Sequence, residues 1–198
     1  FGQQGSVTNH GLSLYNSTGC TISECLAENC FIGVYVLESG SGNKAGNRII
    51  NLSATDCGDA SLWISNCAGL TVEGGSCAIG SSSNTNIFVR DSVFVTLSGM
   101  TVVGGVACIL TMGSYGVSVL GCDISGAASM GVYASPGLAV CIAGNVIHDN
   151  PIGLVIHDLE FILAVDNRIE NNTGAGLRID TSLGTRGGVF LNTFSGNG

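Results

Sequence analysis

Charge is scarce in this sequence. Its 198 residues carry 6 basic and 14 acidic side chains, a formal net charge of -8, and Lys44 is the lone lysine. With the basic residues scattered singly, there is no positive patch for a nucleic acid, nor one for an anionic membrane surface. Proline is nearly absent, at 2 residues, and glycine has no triplet period, which excludes collagen. No long apolar run exists either. The longest uncharged stretch, Ser92 to Cys122, is interrupted by Gly, Ser and Thr and alternates apolar with small polar residues, as in Val95-Thr96-Leu97-Ser98. A spanning helix is apolar nearly all round, so no membrane span is expected. The 9 cysteines are odd in number, form no C-x-x-C pair and sit beside no histidine cluster. Neither zinc nor redox chemistry is expected, and no other metal or cofactor; reduced thiols that pack inward as small apolar groups are. There is no secretory signal and the first residue is Phe1, so the expectation is a piece of a longer chain.

What the sequence has is glycine, 31 residues, and repetition. A short Gly/Ala-apolar-x-apolar segment recurs eight times. Its first apolar residues are Leu12, Val34, Leu62, Ile87, Val106, Val132, Leu154 and Leu177, separated by 22, 28, 25, 19, 26, 22 and 23 positions. A second short strand lies between each pair, as at Leu70-Thr71-Val72, Val117-Ser118-Val119 and Ile162-Leu163-Ala164. The extra residues Ser39 to Gly46 read as a loop bulging from one turn. No segment is followed by a helical period, and none is long enough to bury a core alone. Strand, turn, strand, turn at constant period requires passes stacked as parallel strands, each about 4.8 Å above the last. The expected fold is all-β: one domain over residues 1–198, a single-stranded parallel β-helix (solenoid) of about eight coils of ~23 residues.

Gly144-Asn145-Val146-Ile147-His148-Asp149-Asn150-Pro151-Ile152-Gly153-Leu154-Val155-Ile156 is followed by Asp166-Asn167-Arg168-Ile169-Glu170-Asn171-Asn172-Thr173-Gly174-Ala175-Gly176-Leu177-Arg178-Ile179. Both resemble the right-handed parallel β-helix repeat of pectin-lyase-like proteins, N-x-I-x-x-N-x-x-G-I-x-I. The resemblance implies the fold but leaves activity open among lyases, glycosidases, epimerases, viral tailspikes and adhesins. Asn145, Asn167 and Asn192, spaced by 22 and 25, should form an amide ladder at one corner, with Cys25, Met100 and Cys122 in the same column. Calcium-dependent pectate-lyase-like enzymes use clustered Asp ligands near an Arg or Lys base. Here the nearest pair, Asp56 and Asp59, lacks such a base, and no metal site is expected.

In the first strand of each pass the middle residue should point outward. That column reads Ser13, Tyr35, Trp63, Phe88, Ala107, Tyr133, Val155 and Arg178. Its aromatic stripe has two uses: stacking on sugar rings, or burial against another subunit or covering segment. A second column reads Asn16, Glu38, Asn66, Asp91, Leu110, Pro136, Asp158 and Thr181, preceded in three passes by Arg90, His157 and Asp180. His157, Asp158, Arg178 and Asp180 should therefore lie together, with His148, Asp149, Glu160 and Glu170 at neighbouring turns. Asp158 and Asp180 are the candidate catalytic carboxylates, with His157 as proton shuttle. Tyr35, Trp63, Phe88, Tyr133 and Arg178 are the candidate carbohydrate-binding or interface residues. Two functions follow. The first is the rigid shaft of a surface or virion-attached, glycan-recognising, tailspike-like protein, homotrimeric through its aromatic stripe. The second is an enzyme acting on polysaccharide as lyase, hydrolase or epimerase. Either places the chain at a virion surface or outside the cell.

Overall fold

The computed structural model describes residues 9–38, 46–80, 84–180 and 186–198; Lys44, Thr181 and nearly all of the Ser39 to Gly46 insertion lie outside them. Among the described residues every regular element is a β-strand and every ladder is parallel. One eight-stranded sheet takes one strand from each pass, in chain order from His10–Tyr15 through Ile32–Leu37, Ala60–Ser65, Thr85–Arg90, Ala107–Met112, Met130–Ala134 and Ile152–His157 to Leu177–Asp180. The remaining strands form a 14-stranded sheet around the rest of each turn. The register stacks Val34, Leu62, Ile87, Ile109, Val132, Leu154 and Leu177 in one inward file. The first six of these are fully buried. Each such side chain contributes roughly 1.5–3 kcal/mol by leaving water, which is how a chain of very short strands acquires a core.

Two expectations need correction. In the fifth pass the strand is Ala107–Met112, so Ile109 and not Val106 continues the inward file, and Leu110 rather than Ala107 takes the outward place. The steps of 19 and 26 thereby become 22 and 23. The false match arose because Gly105-Val106-Ala107-Cys108 imitates the motif locally, whereas pairing with neighbours on both sides decides register. Most turns also hold a third strand, while Arg48–Thr55 and Thr71–Ile79 each run through the second and third positions as one strand. Thr101–Gly104, Asp123–Ser125, Val146–His148, Arg168–Glu170 and Thr193–Ser195 pair in succession. Three or four residues give too short an alternation to read from sequence alone.

Three faces need three corners, and most corners among the described residues use one residue in the left-handed backbone region, the corner at Pro136 being an exception. After the first strand these are Asn16, Glu38, Asn66, Asp91, Gly113 and Asp158; after the third strand they include Asn29, Asp56, Gly126, Asp149, Asn171 and Gly196. Glycine, Asn and Asp tolerate that conformation with least strain, which accounts for much of the glycine content. The next residue turns inward and donates to the carbonyl two positions earlier. Ser92 does so to Arg90, Ser114 to Met112, Asn150 to His148 and Asn192 to Phe190. Five cysteines do the same through Sγ: Cys20, Cys30, Cys57, Cys67 and Cys122, to Thr18, Glu28, Thr55, Ser65 and Leu120. All nine cysteines are free thiols.

The predicted amide ladder is present. Asn167 Oδ1 accepts the Asn145 main-chain N–H at 3.0 Å and its Nδ2 at 2.9 Å, and Asn192 repeats this for Asn167. Cys25, Met100 and Cys122 share that column by register. Leu52 and Gly75 fill the two passes between Cys25 and Met100, and a Cβ at Gly75 would run into the Leu52 carbonyl oxygen. A second ladder, Asn150-Asn172-Asn197, stands at the next corner.

Candidate functional site

The outward file holds Tyr35, Trp63, Phe88, Leu110, Tyr133, Val155 and Arg178 in one column. Its rings do not form a flat platform. Trp63 meets Phe88 edge-to-face with centroids 4.7 Å apart and interplanar angle 79°, and Tyr35 meets Trp63 at 6.4 Å and 68°. The rings are half-buried against one another. Leu110 separates this trio from Tyr133, which packs instead against His157 at 6.0 Å, and Val155 is fully buried. Edge-to-face geometry satisfies the ring quadrupoles internally.

At the far end of the file the structure brings together the predicted polar residues, but as separate pairs. His157 Nε2 lies 3.6 Å from Asp158 Oδ2, and Arg178 Nε donates to Asp180 Oδ2 at 2.7 Å. His157 and Asp180 are direct neighbours across the sheet, and the Asp158 main-chain N–H donates to the Asp180 carbonyl. Asp158 itself occupies a left-handed corner, with φ of 47°. Its identity is therefore demanded first by the backbone.

Asp158 also has a second role that the column reading missed. With Tyr115, Pro136, Leu138, Glu160 and Arg186 it lines a groove of about 510 Å³ running over four successive passes, at the exit from the first sheet. Tyr115 and Leu138 are strongly exposed, at 42% and 51%. Two carboxylates, a guanidinium and a phenol thus converge over an apolar wall, a donor and acceptor set that can hold sugar hydroxyls, pair with an acidic group or move a proton. Tyr115 and Arg186 carry no sequence signal, because their approach depends on stacking register. Next along the same strands lies an apolar trough of about 390 Å³, walled by Phe161, Leu163 and Phe190 and floored by Gly116, Gly187 and Gly188.

On the third-strand face His148 is clamped between two carboxylates, with Nδ1 2.7 Å from Asp149 Oδ2 and Nε2 2.8 Å from Asp123 Oδ1. Partial burial opposes its charge, but the two acceptors outweigh that and hold its pKa above the ordinary value. Burial pushes the thiols of Cys77 and Cys108 up to about 12, which leaves them unreactive at neutral pH. Among the described residues no group of three His, Cys, Asp or Glu side chains could hold a metal ion. No helix there is long and apolar enough to cross a membrane.

The family model described as the right-handed β-helix region matches residues 36–197. The fold is similar to that of the mannuronan C-5 epimerase AlgE6 A-module of Azotobacter vinelandii, with TM-score 0.63 and 17% identity over 94% of this chain and 54% of that one. The AlgE4 A-module from the same organism gives TM-score 0.56 and 15% identity, over 91% and 58%. The chain thus spans little more than half the length of either module. No curated protein sequence matched.

Proposed function

Since the chain belongs to the right-handed β-helix family, we propose that it is a polysaccharide-engaging module whose lateral groove grips the sugar chain. One observation carries this reading: Tyr115, Asp158, Glu160 and Arg186 meet in a single open groove beside the exposed Leu138. A sugar chain presents both hydroxyls and apolar C–H faces, and the groove offers partners for both. Arg186 adds the planar, doubly donating group best matched to a carboxylate on an acidic sugar.

Within this reading the chain is the rigid shaft of a tailspike-like, glycan-recognising protein at a virion or cell surface. Its homotrimeric contact then falls to the exposed Phe161, Leu163 and Phe190. The aromatic file is less suited to that contact, because its rings already pack on each other. An enzymatic form is favoured by the carboxylate, phenol and guanidinium in one groove, and by likeness in fold to modules named as epimerases. In it Asp158 or Tyr115 exchanges a proton with the sugar, while Arg186 neutralises an acidic group. His157, the residue before it, and Asp180 on the adjoining strand then orient Asp158.

The test is binding and turnover of acidic and neutral polysaccharides by the wild type, Arg186→Ala and Asp158→Asn. Arg186→Ala is expected to weaken acidic-polysaccharide binding about tenfold, the scale of one charge-assisted hydrogen bond. Retention unchanged in both variants refutes the groove. Product formed by the wild type and lost in Asp158→Asn, at equal melting temperature, selects the enzyme; binding without product selects the shaft.

A further inference from the structure

A second cavity lies at the opposite edge of the first sheet, where the chain enters strands Ala60–Ser65 and Thr85–Arg90. Asp59, Ala60, Trp63, Asn84, Thr85 and Phe88 line an open hollow of about 370 Å³ there, within the range of small-ligand sites, roughly 300–1,000 Å³. Asp59 is only 8% exposed, and the Asn84 side-chain amide donates to its carboxylate. Among the described residues no cation lines the cavity. A carboxylate withdrawn from water beside an amide, with no neutralising charge, favours further hydrogen-bond donors. The Trp63 indole, set edge-to-face against Phe88, supplies an apolar wall beside this polar pair.

We infer that this cavity is a binding site for a neutral, hydroxyl-rich sugar unit. Sugar hydroxyls donate to Asp59, the free edge of the Asn84 amide pairs with a neighbouring hydroxyl, and the C–H face of the ring lies on Trp63. Acidic sugars are excluded, because a second carboxylate near Asp59 meets repulsion that no local cation offsets. The groove at Arg186 differs in holding a guanidinium beside its two carboxylates. The inference extends the polysaccharide reading to a second place on the molecule, but stands without the groove being occupied.

Trp63 is the sole tryptophan of the chain, so its emission reports this cavity directly. The experiment titrates the chain with cello-, manno- and galacto-oligosaccharides and with oligomannuronate. A saturable change in emission is expected with at least one neutral series and none with the uronate. Asp59→Asn and Asn84→Ala should each weaken that association about tenfold, while Arg186→Ala leaves it unaltered. Asn84 is exposed, so its variant remains informative if Asp59→Asn fails to fold. Silence towards every neutral series, an equal response to the uronate, or unchanged affinity in Asn84→Ala overturns the inference. Acidic-polysaccharide binding that depends on Arg186 while Trp63 stays silent leaves the groove standing and removes only this site. A Trp63 response with an inert groove does the reverse.

Discussion

The residue that follows a corner shows how one geometric demand is met by different chemistry. Asn, Ser and Cys all return a hydrogen to the carbonyl two places back, as Asn150, Ser92 and Cys67 illustrate. An inward cysteine in this fold is therefore a weak capping donor as well as a small apolar group, and the expectation of plain inward packing was incomplete. His148 presents a different residue-scale consequence. Its pKa is raised in the folded chain by Asp149 and Asp123, so its stabilisation is complete below the unfolded value of about 6.5 and is lost as pH rises through the folded value. The melting temperature of the wild type, relative to His148→Gln, should fall as pH rises above about 6.5, by the equivalent of about 1 kcal/mol or less, since the carboxylates are largely exposed. A pH-independent difference between the two proteins would show that folding does not raise the His148 pKa.

Among elements, the two asparagine ladders are the most demanding. Asn167 accepts two hydrogen bonds from Asn145, donates to the Ile142 carbonyl at 2.8 Å and pairs with Asn192. Asn167→Ala should cost on the order of 3 kcal/mol in urea unfolding, because buried groups on both sides lose partners. A loss comparable to that of an exposed residue would mean the ladder follows from the fold without supporting it. The ladder at Asn145 was legible because its spacing matched the repeat. The ladder at Asn150, Asn172 and Asn197 has the same spacing of 22 and 25 and is legible on the same ground. The misplacement of Ala107 had a local cause. Residues 105–108 fit the local pattern, and only pairing with Phe88 and Tyr133 places Leu110 in the file.

For the molecule as a whole, stacking turns sequence intervals of about 23 residues into neighbours one strand apart. That is how Tyr115, Asp158 and Arg186 come to share one groove. The column also leaves Phe161, Leu163 and Phe190 uncovered on one flank, at 45%, 43% and 56% exposure. If the shaft form is right, the wild type should sediment as a trimer and Phe161→Asp as a monomer. A monomeric wild type removes the homotrimer and leaves the sugar-binding reading intact.

The sequence by itself determined the parallel coil, its approximate number of passes, the Asn145 ladder and the file of Tyr35, Trp63 and Phe88. Period and inward alternation suffice for these, because each pass repeats the same local chemistry. It could not determine what lies across a corner. There a one-residue change of register redirects every side chain, and residues such as Tyr115 and Arg186, or Asp59 and Asn84, meet only through the rise of one turn upon another. The backbone pattern was thus written locally, whereas the candidate sites were decided by contacts between passes.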